Sequence, residues 1–327
     1  MTPPSISGHG LNLSQLARLR RRSAWRGIAV VLHAWGAIAL AMALFALWPH
    51  VLTFWLAFVL ISGRQLGLAI LMHDAAHRLL LPNSRFNDAV GQYLLGGPVG
   101  ADLYVYRPYH LQHHRHTQQA QDPDLELSAP FPISKASLRR KVVRDLLGVT
   151  GFQRRMLQWR AELGSDQDPM SVRCLRLLKA ETPFLIGNSM LLGVLLALGH
   201  GWLYLTLWLW PLFTGYQLVS RLRNIAEHAV VGPADNAFRN TRTTRAHWLA
   251  RMTVAPYWVN YHLEHHLFVN TPCWNLPLAH AWLGQAGHWP QMEIASGYAE
   301  VLAKATTRHH DDRGASGGRK GLSSTAL

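Results

Sequence analysis

Four long apolar runs, arranged as two close pairs, restrict this chain more than any other feature. Gly27–Trp48 has 22 residues and no Asp, Glu, Lys or Arg, and Val51–Met72 has 22 with Arg64 as its one charge. Thr182–Gly199 and Trp202–Ser220, of 18 and 19 residues, carry no formal charge. Each approaches the ~20 residues a helix needs to cross a bilayer. Only Pro49-His50 and His200-Gly201 separate the members of each pair, so the runs read as two tight helical hairpins. The first run is too long for a secretory leader, and no small-residue cleavage site follows it before the next run.

Four crossings of this kind leave Met1–Arg26, His73–Glu181 and Arg221–Leu327 on one side of the membrane. Those segments hold 5, 15 and 11 Lys/Arg, which is 31 of the 32 in the chain, and the hairpin turns hold none. A bias this lopsided predicts that both termini and the large loop are cytoplasmic. The expectation is a multi-pass protein of the inner or cytoplasmic membrane. The net charge of +14 is then a property of loops facing anionic lipid and needs no nucleic acid partner. Trp25, Trp48, Trp202 and Tyr204 stand near run ends, where aromatic anchors are common.

The predicted organisation is an N-terminal segment 1–26, a membrane domain 27–306 with spans 27–48, 51–72, 182–199 and 202–220, and a polar, Gly/Ser-rich tail 307–327 expected to be disordered. Between the hairpins, Leu138–Trp159 alternates apolar and basic residues at helical spacing. It reads as one helix, either in the headgroup plane or packed on the cytosolic cap. Arg64 is expected where its helix leaves the hydrocarbon or snorkels to the interface. The functional alternative is a partner for a substrate carboxylate or lipid headgroup.

Nineteen histidines are the compositional oddity, and nine of them fall into four clusters. His73 and His77 form H-x-x-x-H after the second run. His110, His113 and His114 form H-x-x-H-H in the large loop. Asn224 and His228 form N-x-x-x-H after the fourth run, and His262, His265 and His266 form a second H-x-x-H-H. Residues three and four apart share a helix face, so each cluster can aim two or three imidazoles at one point. Imidazole suits Fe, Zn, Cu and Ni. One such cluster alone is weak, since a His pair on a helix is more often a surface feature, but four in order are not. Nine donors exceed the three or four a zinc site takes and suit two metals with open positions, without distinguishing iron from other metals.

Asp74, Glu227 and Glu264 stand beside these histidines and are candidates for orienting imidazoles from behind; the competing reading of each is an ordinary surface charge. His116, in His113-His114-Arg115-His116, is better placed for such a supporting role than as a ligand. The other histidines, His247, His280 and His288 among them, match no ligand spacing. Two cysteines, Cys174 and Cys273, provide neither a disulfide framework nor an iron–sulfur site.

The four clusters resemble the membrane fatty-acid desaturase and hydroxylase superfamily of histidine-box enzymes. Its pattern is H-x(3,4)-H followed by two H-x(2,3)-H-H boxes, with an additional Asn/His pair after the fourth helix. The resemblance covers about Gly27–Leu278, and the run from Arg115-His116-Thr117 to Asp122-Pro123-Asp124 is also similar. It implies an all-α integral membrane fold, with four transmembrane helices as two hairpins and a helical cytoplasmic cap enclosing two irons. It implies His73, His77, His110, His113, His114, His228, His262, His265 and His266 as ligands, with Asn224 acting through water. It further implies O2 as co-substrate and removal of hydrogen from a lipid or fatty-acyl chain. Electrons would come from an external donor such as ferredoxin with its reductase, because the chain has no haem or iron–sulfur motif. Hydroxylation, ketolation or decarboxylation of a lipid, hydrocarbon or carotenoid on the same scaffold is the alternative. A metal transporter is a distant one, since transport sites usually sit near the bilayer midplane and these boxes lie outside the apolar runs.

Overall fold

The structure, a computed structural model, describes residues 9–307. Three of its helices, Ala24–Leu47, Val51–Ala76 and Met170–Ala197, are long and apolar enough to cross a membrane. The first two form a tight hairpin through Trp48–His50 and pack along their length. Local chemistry sets their starts: Ser23 Oγ accepts from Arg26 N, and His50 Nδ1 accepts from Leu52 N. Of the apolar window in Val51–Ala76, 67% is buried, against 28% and 22% in the other two. Val51–Ala76 is therefore the central helix, and the other two turn apolar faces outward.

The central helix outruns its apolar stretch. It continues past Met72 through Ala76, so His73 lies on its last turn and His77 caps its end.

The fourth run is not the single helix expected over 202–220. A π-helical segment, Tyr204–Leu209, leads into a short α-helix, Trp210–Phe213, and the chain breaks at Thr214 (φ −123°, ψ −83°) before Gly215–His228. Pro211 has no N–H to contribute to a regular ladder. Gln65 Nε2 donates to the Trp208 carbonyl at 2.8 Å. After the break Gly215 meets the central helix so closely that a Cβ there would collide with Ser62 Oγ.

The expected single helix over 138–159 is also two, Lys135–Leu146 and Val149–Leu163. Gly148 sits between them at φ 76°, a conformation that favours glycine, and turns the chain. A two-residue parallel ladder, Thr243–Thr244 with Ile294–Ala295, is the small departure from an all-helical fold. The expectation of a disordered tail concerns residues that, apart from Thr307, lie outside the described ones.

The partners of Arg64 lie inside the protein. The residue is buried, and its guanidinium donates to the Arg251 and Met252 carbonyls at 3.0 and 2.9 Å, over the face of Tyr257. These carbonyls end the Trp248–Met252 helix, where a cation is favoured. Gly63 and Gly67 flank Arg64 and let the 252–257 backbone and the Tyr257 ring press against the central helix. The charge thus clamps the segment preceding the third histidine box onto the helix that carries the first.

Candidate metal centre

All four clusters meet at one place, from four helical elements. His73 and His77 come from the end of the central helix, and His110, His113 and His114 from Leu103–His116. His228 ends Gly215–His228, and His262, His265 and His266 lie on the short helix His262–Leu267. Asp102 starts the second of these helices by accepting from Tyr104 N and Val105 N, and its Oδ2 accepts from Gln92 Nε2. Arg107, on the same helix, donates to the Ala75 and Ala76 carbonyls at the end of the central helix. The helix carrying one box is thereby fixed to the end of the helix carrying another.

The nine histidines divide into two groups, His73, His77, His110, His114 and His265 in one, and His113, His228, His262 and His266 in the other. Within each, the donor atoms lie within 4.8 Å of one another. The division cuts through both H-x-x-H-H boxes. His110 and His114, a turn apart, go to the first group while His113 goes to the second. His262 and His266 go to the second while His265 goes to the first. Adjacent helical residues diverge by about 100°, so a double histidine serves two centres.

The spacing of donors fits metal coordination. Nε2 of His110 lies 2.9 Å from Nε2 of His77 and of His114, and His265 Nε2 is 3.0 Å from that of His114. In the other group His262 Nε2 is 2.9 Å from His228 Nε2 and 3.1 Å from His266 Nε2. A metal–nitrogen bond of about 2.1 Å puts donors about 3.0 Å apart at right angles and about 3.4 Å apart at the tetrahedral angle. The observed separations match the right-angled arrangement of five- and six-coordinate ions. Nε2 of His73 and of His113 are buried without a hydrogen-bond partner, as metal-facing atoms would be in the absence of metal.

Protonation is set for ligation. Burial, then neighbouring imidazoles, holds His110, His265 and His266 well below the usual 6.5, and burial does the same for His228 and His262. Burial brings His77 down to about 4, with Arg107 adding to the effect, and His114 to about 2. The rings are therefore neutral at physiological pH, the form that binds metals.

The surrounding carboxylates differ from what the sequence suggests. Asp122 Oδ1 lies 2.7 Å from His113 Nδ1 and also accepts from Asp124 N; this partner, nine residues away across a turn, was not among the candidates. Thr117 Oγ1, 3.2 Å from His266 Nδ1, is likewise new. Asp74 is 3.6 Å from His73 Nδ1, beyond hydrogen bonding, and accepts instead from Cys273 N. Glu227 accepts from Arg223 Nε, and its free Oε2 stands 3.6 Å from His262 Nε2, on the side where the second group converges rather than behind the ring. Burial, opposed by Arg223, raises this carboxyl to about 7.

Glu264 is fully buried but turns to Thr243 Oγ1 and to His280 Nδ1 (2.6 Å), not to a ring of either group. His116 is half-buried at its helix end and joins neither group. Asn224 is one turn before His228 on the same helix and half-buried.

A small gap of about 10 Å³, lined by Ile70, Asp74, Tyr257, Val259, Cys273 and Leu276, touches His73 and His265 of one group and His262 of the other. Mostly apolar side chains therefore border both groups.

A family model described as fatty acid desaturase matches residues 49–294. Dihydrorhizobitoxine desaturase of Bradyrhizobium elkanii is 26% identical over 231 residues, 68% of this chain and 65% of that protein. The chain thus matches just under two thirds of that relative's length. A beta-carotene ketolase of Paracoccus sp. (strain N81106 / MBIC 01143) is 25% identical over 247 residues, 73% of this chain and 86% of that protein. A beta-carotene 4-ketolase of Protosiphon botryoides is 24% identical over 251 residues, 74% of this chain and 54% of that protein.

Proposed function

The chain belongs to the fatty acid desaturase family, and from that premise we propose that it is an O2-dependent, di-iron membrane oxidoreductase that desaturates a fatty-acyl or related lipid chain. The observation that carries this reading is the pair of histidine groups, with nitrogens 2.9–3.1 Å apart, bordered by mostly apolar side chains. His73, His77, His110, His114 and His265 would hold one iron. His113, His228, His262 and His266 would hold the other, with Asn224 acting through water.

Bound iron supplies O2 activation and removal of hydrogen from an unactivated C–H bond. The protein's own residues do the positioning. Asp122 fixes the ring of His113 with its Nε2 directed inward. Ile70, Val259 and Leu276 border both groups and would keep bulk water from them. Glu227, with one free oxygen at the second group, is placed to accept a proton there.

The same reading has the chain crossing the membrane four times, the broken 202–220 segment making the last crossing. Both termini and the histidine centre are then cytoplasmic, and an external electron donor of the ferredoxin type docks on that face. The 31-of-32 basic asymmetry supports this topology. Labelling of single cysteines introduced at Ser14, Pro130 and Thr307 should find all three on the cytoplasmic side.

Ketolation of a ring-bearing hydrocarbon is the second reading, favoured by the two carotene ketolases among the relatives. Expression in a host of defined lipid content, followed by mass spectrometry, separates the two. New double bonds in acyl chains support the first, and carbonyls on a supplied carotenoid support the second. His265→Ala should abolish either product and reduce bound iron while leaving membrane insertion intact. A variant that turned over substrate at the parental rate would remove the histidine groups from the chemistry.

A further inference from the structure

Away from the metal centre, a groove of about 570 Å³ lies where the N-terminal segment meets the chain just after the third histidine box. Arg18, Arg21, Arg22 and Arg26 line it from one side, and Trp274 and Asn275 from the other. Among the described residues the concentration of charge has no carboxylate to answer it. No Asp or Glu occurs before Asp74, and none occurs between Glu264 and Glu293, so neither wall contains a carboxylate. The ion pairs among the described residues engage other cations.

All four arginines are exposed, and the segment that carries them is tied to the opposite wall. Asn275 Nδ2 donates to the Leu19 and Arg21 carbonyls at 2.8 and 3.3 Å, and its Oδ1 accepts from Arg26 Nη1 at 3.4 Å. Arg18 lies over the Trp282 ring at 5.8 Å. Trp274 forms part of the wall with its ring, its Nε1 being closed off from solvent. The groove also adjoins the first turn of the apolar Ala24–Leu47 helix, beside the exposed Trp25. It therefore stands at the level where an amphiphile presents its head.

We propose that this groove binds the phosphate of a membrane-surface amphiphile, with the arginines as counter-charge and donors. Planar guanidinium groups match phosphate oxygens in pairs, which makes a cluster of arginines a phosphate site. Occupancy would link the N-terminal segment to the stretch containing Cys273, whose backbone N–H is held by Asp74 beside His73. A phosphate here would thus tie the membrane surface to the edge of the histidine centre.

The test uses the full chain in nanodiscs of phosphatidylcholine with a minor fraction of phosphatidylglycerol, and native mass spectrometry of the lipids that remain bound. The parent should retain phosphatidylglycerol in preference to phosphatidylcholine. Arg22→Gln/Arg26→Gln should lower that preference at least about tenfold, the scale of losing charge-assisted hydrogen bonds. Trp274→Phe, which removes the enclosed N–H and no charge, should keep the parental preference. Palmitoyl-CoA in a parallel arm identifies the source: if it displaces phosphatidylglycerol, the phosphate recognised is that of a nucleotide thioester; if not, that of a lipid headgroup. Equal retention of both lipids with no binding of palmitoyl-CoA, or parental behaviour of Arg22→Gln/Arg26→Gln, overturns the proposal. Iron content, measured on the same samples, reports separately on the histidine centre.

Discussion

Asp122 Oδ1 stands 2.7 Å from His113 Nδ1, with both side chains buried. It fixes one of the nine rings by a carboxylate behind it. In this position an acidic partner holds the tautomer whose Nε2 lone pair points at the metal and raises its basicity. Asp122→Asn keeps the shape but removes the charge. It should weaken metal binding about 10- to 100-fold, the usual cost of losing such a partner. Metal retention during dialysis against a graded chelator series checks this, and parental retention would assign Asp122 to loop structure alone.

The histidine boxes were legible because their spacing is local: i, i+3 and i+4 already define a helix face. Their division between two groups was not, because it depends on how four helical elements meet. Asp122 was within reach, nine residues from His113 in a run already marked as family-like, but only the turn after Thr117 brings it back to the ring. The Gly148 break was masked by an amphipathic pattern that continues in phase on both sides. Arg64 hid its contacts for another reason. Its partners, the carbonyls of Arg251 and Met252, are 187 and 188 residues away and are backbone atoms, invisible to any reading of side-chain type.

Arg64 therefore yields a prediction about stability. Arg64→Leu leaves the helix apolar throughout, which a purely membrane-spanning role would welcome. The structure predicts the opposite: two carbonyls lose their donor, at about 1–3 kcal/mol for a buried group left unsatisfied. The detergent-solubilised variant should melt earlier than the parent and lose metal more readily, since the 252–257 segment leads into the third box. Unchanged melting would mean that the clamp contributes nothing.

The depressed histidines set a direction for pH dependence. Between the unfolded value of 6.5 and the folded values of about 4 for His77 and about 2 for His114, the unfolded chain binds more protons than the folded one. The histidine contribution to the stability of the metal-free protein should therefore be intact above about pH 7 and fall as pH drops below 6.5, opposed in part by Glu227, whose carboxyl, raised to about 7, favours the folded form as pH falls. The loss amounts to about 1.4 kcal/mol per pH unit for each histidine held neutral. Bound metal opposes the same protonation, so the loaded protein should resist acid further down the scale. Denaturation midpoints of both forms between pH 8 and 5 measure the effect. A metal-free form as stable at pH 5 as at pH 8 would contradict the burial of these rings.

His280 matches no ligand spacing, which would make it a natural control beside His265, yet the structure gives it a specific task. Its Nδ1 lies 2.6 Å from Glu264 Oε1, and Glu264 is fully buried between His262 and His265 in sequence. Thr243 is its other side-chain partner. His280→Ala would leave the buried Glu264 side chain with the threonine alone, at about 1–3 kcal/mol for a buried acceptor that loses its donor. The expected result is a less stable protein whose remaining folded fraction still binds metal, because His280 belongs to neither histidine group. His265→Ala should do the reverse, losing metal with a smaller change in melting of the metal-free form. Measuring metal content and melting side by side distinguishes the two. If His280→Ala lost metal while melting like the parent, the imidazole would belong to the metal centre and not to the support beneath it.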